Sequence, residues 1–578
     1  MSPRTDSSIA LSEDATARSG ARPGTIRRTL LTAWPLLTGL TLFWTIVAVL
    51  LIASLRRTGG HLVYALDDPY IHMAIAKNFS QHGVWGVTRY GFTSSNSSLL
   101  WPLLLSASYL LFGVNAVTPL VLGILSASLV LLSGFWILRW YRIPPLFTFV
   151  ALTLSILLIP LPALTFEGLE HPLHIALTLL VTFLSARYLT RESPGTARRD
   201  AWLLIALGPL VVAARFEGMF VILAISALLL LRPAPEFGRR ARYALCFAIS
   251  GFLPVAVFGA ISRAQGWEWL PNTLLLKGRF PELTSPVAVV ESLVSTFQGT
   301  MLRAPHLWGL LLLILLLYVL AFRDPPGAWE SRQVMSAIFI AAALLHMEFA
   351  DTGFFFRYEA YLVALALLIA AAQIRDYLPH GIATGWLKAS RLPQYTAIAL
   401  LAGLVSVPLG VRAWWALVLI PRATANIYQQ QYQMGIFVKT YYQGSVVALN
   451  DIGAVNYFAD VHCLDLWGLS NLEVMRKRRR DAYHTEDIAR AAKSAGARIA
   501  LVYDEWFQRS VGSLPHEWAL VGSWTIRNTL FAGSDTVSIY AVDPSEASRL
   551  AEHLHDFSRN LPQEVIQRGS YTDWAGAP

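Results

Sequence analysis

Apolar runs long enough to cross a bilayer recur along this chain from Leu31 to Ile420, and no other feature restricts its fold as strongly. A segment inside hydrocarbon must satisfy every backbone N–H and C=O internally, so each run is committed to a helix of about 20 residues. After residue 420 the sequence returns to the mixed composition of a water-soluble fold. The expectation is a polytopic α-helical membrane protein with a membrane body over 31–420 and a soluble α/β domain over 421–578. Residues 1–30, rich in Ser, Thr, Ala and Arg, read as a disordered cytoplasmic tail. Only 14% of the residues are charged, which a soluble chain of 578 residues does not show. The net charge of +9 reflects Lys and Arg held in cytoplasmic loops rather than a basic face for nucleic acid, which is excluded as a partner. Cys246 lies in an apolar span and Cys463 in the tail domain, so neither a disulfide nor a metal-ligand spacing is available.

Spans are expected at 31–54, 117–138, 146–164, 171–186, 201–214, 217–231, 243–262, 306–322, 333–348, 356–374 and 394–418, about eleven in all. The segment 98–113 is apolar but short and interrupted by Pro102, and its placement sets the sidedness of everything after it. If it lies along the outer interface, the cytoplasmic connections hold 15 Lys and Arg in about 59 residues, against roughly 10 in about 124 on the other side. That is the positive-inside pattern. Arg56 and Arg57, just outside the first span, are its exception. With this sidedness the protein is a multi-pass plasma (inner) membrane protein whose tail domain is extracytoplasmic. Runs such as Val446–Leu449, Arg498–Tyr503 and Val537–Val542 are the expected strands of the tail.

The same sidedness gathers the unusual polar residues on the outer face: Asp67 and Asp68 after the first span, Glu167, Glu170 and His171 after the third, Arg215 and Glu217 in a tight turn, Lys277 and Arg279 in a long loop, and Arg357 before the tenth span. Charge at the bilayer border is costly unless paired or functional, so these loops point to one shared cleft. Asp67-Asp68-Pro-Tyr precedes Ile71, Ile75 and Phe79 at helical spacing, which predicts an interfacial amphipathic helix. A carboxylate there either caps that helix or serves as a general base toward an acceptor hydroxyl. Lys277, Arg279 and Arg357 either hold a phosphate or snorkel to lipid headgroups. Arg215 and Glu217 are either cleft residues or an ion pair locking the turn. Trp467, Trp506 and Trp524 of the tail either stack on sugar rings or form its core.

Taken in order and on one side, Asp67-Asp68-Pro-Tyr, Gly91-Phe-Thr-Ser, Gly168-Leu-Glu-His, Ala214-Arg-Phe-Glu-Gly, Leu270-Pro-Asn-Thr with Lys277, Arg357-Tyr, Asn450-Asp-Ile-Gly-Ala and Tyr457-Phe-Ala-Asp resemble the GT-C superfamily of membrane glycosyltransferases. The likeness is to the polyprenyl-phosphate-sugar-dependent arabinofuranosyltransferase/mannosyltransferase branch. It implies transfer of a sugar from a polyprenyl-phosphate donor to a glycan acceptor hydroxyl by inverting displacement, as in cell wall biogenesis. It also implies Asp67 as leading base with Asp68 assisting, Lys277, Arg357 and Arg215 toward the donor phosphate, and Glu170, His171, Glu217, Asn272 and Tyr358 around the substrate cleft. A divalent metal is compatible with this chemistry but not required, because polyprenyl phosphate is already a good leaving group. Two rivals predict different features. A transporter or flippase of a lipid-linked substrate needs repeated halves and polar helices at the midplane; a noncatalytic envelope assembly factor would keep the fold and lose the aspartates.

Overall fold

The computed structural model describes residues 23–190, 197–231, 237–279, 285–321, 330–373, 392–527, 529–530 and 533–572. The expected tail 1–30 lies outside them up to residue 22, as do parts of the expected cytoplasmic connections 187–200, 232–242, 323–332 and 375–391.

Each of the eleven expected spans contains a helix. The first helices are α1 (Pro23–Arg57), α2 (Asp68–His82), α3 (Leu100–Phe112), α4 (Thr118–Trp140), α5 (Pro145–Leu158), α6 (Leu161–Phe166), α7 (His171–Thr190), α8 (Ala197–Ala214), α9 (Gly218–Leu231) and α10 (Phe237–Ala264). They continue as α11 (Asn272–Lys277), α12 (Pro286–Arg303), α13 (Pro305–Ala321), α14 (Ser331–Phe349), α15 (Ala360–Gln373) and α16 (Leu392–Ile427). Among the described residues, six helices are long and apolar enough to cross a membrane, or seven if α12 and α13, bent by 103°, form one span; α3, α5, α9 and α15 are shorter apolar helices. This is the build of a multi-pass membrane protein. The stretch expected as one span at 146–164 is broken at Pro160 into α5 and α6. α3, at 13 residues, covers only about 20 Å and cannot cross a core of about 30 Å. Its end is bare, with Leu110, Leu111 and Phe112 all at least 70% exposed.

α7 is the centre of the body, with 78% of its apolar window buried. It packs on α4, α8, α14 and α15, which is why its first residues and the preceding Glu167 and Glu170 are enclosed. The α8–α9 turn closes at Arg215–Glu217 as expected. Gly218 is needed there, because a Cβ would approach the Val211 carbonyl oxygen to 2.7 Å.

The expected border at residue 420 falls inside a continuous helical rod. α16 passes through a π-helical turn, Tyr428–Tyr432, into α17 (Gln433–Tyr441), giving 47 residues from Tyr395 to Tyr441 without a linker. Beyond it lie β1 (Val446–Leu449), α18 (Gly453–Phe458), β2 (His462–Asp465), α19 (Leu472–Arg478), α20 (Thr485–Ala495), β3 (Ile499–Val502), α21 (Asp504–Ser510), β4 (Ala519–Thr525), β5 (Thr536–Ala541), α22 (Ala547–Phe557) and β6 (Ile566–Gly569). The sheet order is β2-β1-β3-β5-β4-β6, parallel across β2, β1 and β3 and antiparallel across the rest. Phe437 of α17, Trp524 of β4 and Leu554 of α22 share its main apolar core.

α2 is not the interfacial helix that its spacing suggests. Residues 69–76 are buried, packed between α3 and α18, and Ile71 and Ile75 belong to the same core as the sheet. Ile71 and Ile75 find a protein partner rather than lipid, while Phe79 stays 37% exposed, so the first part of the loop is built into the tail.

Candidate active site

Asp67 and Asp68 are adjacent in sequence and separated in role by the start of α2. Asp67 makes no side-chain cap bond to its own helix. Its carboxylate instead accepts the backbone N–H of Gly453 at 2.6 Å and of Ala454 at 2.7 Å, at the start of α18. Ten residues further on, Lys77 Nζ donates to the carbonyls of Asn456 (2.9 Å) and Tyr457 (2.7 Å) at the other end of the same helix. Both ends of α18 thus receive hydrogen-bond partners from α2, a carboxyl at its N–H end and an ammonium at its C=O end. Burial, then the neighbouring charge of Asp451, hold the Asp67 carboxyl well above the usual carboxylate range, partly offset by the two N–H donors. Asp451, half-buried and bonded by Gln431 Nε2 at 3.0 Å, is raised as well.

Asp68 faces the other way, into a cleft with about 700 Å³ of open space lined also by Lys277, Arg357, Tyr358, His171, Arg215 and Glu217. Its carboxylate pairs with Arg357 and lies 3.8 Å from Lys277 Nζ. Burial alone would raise its pKa, but Lys277 and Arg357 outweigh that and hold it well below the ordinary range. His72, one turn further along α2, bonds Ser97 of the cleft wall at 3.2 Å, and burial lowers its pKa, so it is a neutral neighbour.

Arg357 is 2% exposed, and its Nε and Nη1 are buried without hydrogen-bond partners among the described residues. Buried guanidinium donors left open cost free energy unless a ligand completes them. The segment presenting Arg357 has left-handed backbone at Gly353, Phe355 and Phe356. It is held by Glu359, which accepts the Gly353 N–H at 3.0 Å and His306 Nε2 at 3.2 Å, and by Arg412, which donates to the Phe356 carbonyl. Glu359 is 0% exposed and sits 3.5 Å from Arg412 Nε.

Arg215 already uses all three of its guanidinium nitrogens. It bonds Glu217 twice, at 2.6 and 3.1 Å, Glu170 at 2.7 Å and His171 at 2.8 Å. It lines the cleft but spends its donors on carboxylates, so the geometry makes it a tie between the α8–α9 turn and the start of α7. Glu170 lies behind it, outside the lining. Asn272 is turned away too: its side chain donates to the Gly468 carbonyl of the tail at 2.9 Å, while its neighbour Thr273 reaches the cleft. Arg279 pairs with Asp351 at 2.9 Å. Trp524 is fully buried core; Trp467 and Trp506 pack on each other, with Arg478 over Trp467. Among the described residues, no group of three or more His, Cys, Asp or Glu stands together in a way that would hold a metal ion.

His72, Glu359 and Arg412 also contribute, the first and last with no distinctive sequence signal, and Asp451 stands in the sequence only as part of Asn450-Asp-Ile-Gly-Ala. A buried acid inside Arg357-Tyr-Glu was the available signal for Glu359; the Asp451–Asp67 meeting, across nearly 400 residues, left none.

Residues 425–540 match a family described as a domain of unknown function (DUF8728). No curated protein matches. Among solved structures, ArnT from Cupriavidus metallidurans bound to undecaprenyl phosphate aligns over 88% of this chain and 98% of its own, at 15% identity and a TM-score of 0.50. An oligosaccharyltransferase of Archaeoglobus fulgidus, in complex with Zn and sulfate, aligns over 90% and 74%, at 11% identity and a TM-score of 0.43. The mycobacterial arabinofuranosyltransferase AftD aligns over 87% and 41%, at 15% identity and 0.38. The chain is similar in fold to GT-C glycosyltransferases.

Proposed function

We propose that this protein is a membrane glycosyltransferase that moves a sugar from a polyprenyl-phosphate donor to an acceptor hydroxyl, with Asp68 as the base. The observation that carries this reading is the meeting of Asp68 with Arg357 and Lys277 in one cleft, where Arg357 keeps two buried N–H groups without partners. The fold supports it, since the ArnT structure that shares this fold holds undecaprenyl phosphate.

In the resting protein the Asp68 carboxylate occupies the place of an anion between two cations. A donor phosphate would take over the bonds of Arg357 and Lys277 and leave Asp68 beside the acceptor, with its basicity restored. The acceptor oxygen then attacks the anomeric carbon, its proton passes to Asp68, and the bond from that carbon to the phosphate oxygen breaks with its electron pair on polyprenyl phosphate. Arg357 and Lys277 stabilise the departing charge, and the anomeric configuration inverts. Asp67, which the resemblance implies as leading base, is assigned to holding α18 against α2. Arg215 is assigned to the wall rather than to the phosphate. The cleft and the tail face away from the cytoplasm in this reading, at the plasma membrane.

The test is transfer of labelled sugar from a panel of polyprenyl-phosphate donors by purified protein in lipid, comparing Asp68→Asn with Asp67→Asn. Loss of transfer in Asp68→Asn with donor binding intact supports the assignment. Full transfer by Asp68→Asn overturns it, and donor movement across the bilayer without transfer makes the protein a transporter.

A further inference from the structure

A second cavity lies where the end of α1, the end of α16 and the segment after β4 meet. It is a hollow open to solvent, with about 1140 Å³ of space, lined by the exposed Arg57, Arg422 and Arg527 together with Asn426, Gln429 and Thr529. Among the described residues, no acidic residue is in its wall, and none of the three arginine side chains has an ion pair or hydrogen bond. Like charges brought to one concavity repel one another unless an anion joins them. The Thr529 hydroxyl is buried with no hydrogen-bond partner among the described residues. Asn426, 5% exposed, is fixed by accepting the Leu530 N–H at 3.1 Å, and Gln429 belongs to the π-helical turn that joins the rod to the tail. Three guanidinium forks, a free hydroxyl and an anchored amide make a donor-rich cavity with no acceptor charge of its own.

Its place supplies the ligand. Arg57 is the last residue of the apolar span Ala33–Arg57, so the cavity opens at a border of the membrane, the level at which headgroup phosphates lie. Arg56 and Arg57 are also the arginines that break the charge asymmetry of the loops, an anomaly that an anion on this side would account for. We propose that the Arg57, Arg422 and Arg527 cavity binds a phosphate-bearing anion at the seam between the membrane body and the tail, and that an anionic lipid headgroup supplies it. The cavity shares no lining residue with the Asp68 cleft, and the proposal does not depend on the transfer reaction.

The experiment uses the full chain in detergent. Thermal unfolding is followed during titration with phosphatidylglycerol, phosphatidylcholine or inorganic phosphate, and lipid retention is read by native mass spectrometry. The variants are R57Q/R422Q/R527Q and R57K/R422K/R527K. Phosphatidylglycerol should raise the wild-type midpoint and be retained, phosphatidylcholine should do neither, and the Gln variant should weaken the effect by about tenfold or more while the Lys variant keeps most of it. An equal response to inorganic phosphate, lost in the Gln variant, supports the site with a soluble source. A phosphatidylglycerol response unchanged in the Gln variant, or no response in the wild type, overturns the proposal.

Discussion

Asp67 and Gly453, 386 residues apart in sequence, are joined by a 2.6 Å bond from the glycine N–H to the aspartate carboxylate, at a contact so close that a Cβ on Gly453 would lie 2.2 Å from the Asp67 carbonyl oxygen. The bond fastens the tail to the loop that presents Asp68. Two neighbouring aspartates therefore predict opposite phenotypes.

Asp67→Asn should be a stability variant. The amide can turn only one oxygen toward two N–H donors, leaving one of them facing an NH₂ group. The expected loss is about 1–3 kcal/mol. Asp68→Asn should cost stability through the pair it takes from buried Arg357, yet its defining loss is transfer, which disappears in protein that is still folded. Thermal unfolding and single-turnover transfer on the same preparations separate the two.

Arg357→Lys should raise the KM for the donor about tenfold or more, despite the retained charge. Lysine has one point charge where the guanidinium offers Nε and Nη1, the two donors now buried without partners. Titration with a polyprenyl phosphate, read as binding rather than turnover, checks this independently of the chemical step.

Arg215→Ala should act on folding. It strips the partner from Glu170 and Glu217, whose side chains are 0% and 14% exposed, and removal of one partner from a buried pair costs about 3–5 kcal/mol. Monodisperse yield in detergent should fall sharply. Arg215→Ala with Glu170→Gln and Glu217→Gln should recover part of it, whereas a phosphate-binding role would leave yield intact and raise only the donor KM.

The Asp67–Asp451 contact should make the docked tail less stable as pH rises. Both carboxyls are held above their ordinary range, chiefly by burial, so the native state binds more protons than the unfolded chain above about pH 4. In that window unfolding releases protons, and stability falls with increasing pH up to the raised native value. Asp451→Asn removes the repulsion and should flatten the midpoint-against-pH curve measured from pH 5 to 9. Asp68 runs the other way: held low by Lys277 and Arg357, it keeps its pairing throughout this range and loses it only in strong acid.

The helical membrane build, the short lie of α3, the α8–α9 turn and the three named strand runs were legible in the sequence, because each rests on local quantities: the length of an apolar run, a break in it, or a β-branched stretch. That Asp68, Lys277, Arg357 and Glu217 lie toward one cleft was an expectation from charge at the bilayer border, whereas Tyr358 was implied only by the resemblance. The division of labour between Asp67 and Asp68 was not. Both read as a capping or catalytic carboxylate, and only the meeting of α2 with α18 decides which of them is used up by backbone N–H groups. In the same way, Arg215 and Arg357 are alike in sequence, but one is surrounded by Glu170 and Glu217 while the other keeps open donors. Local pattern fixes which segments leave water and which side chains are costly there; which of those costs a neighbour offsets, and which remain for a substrate, is settled by contacts between residues hundreds of positions apart.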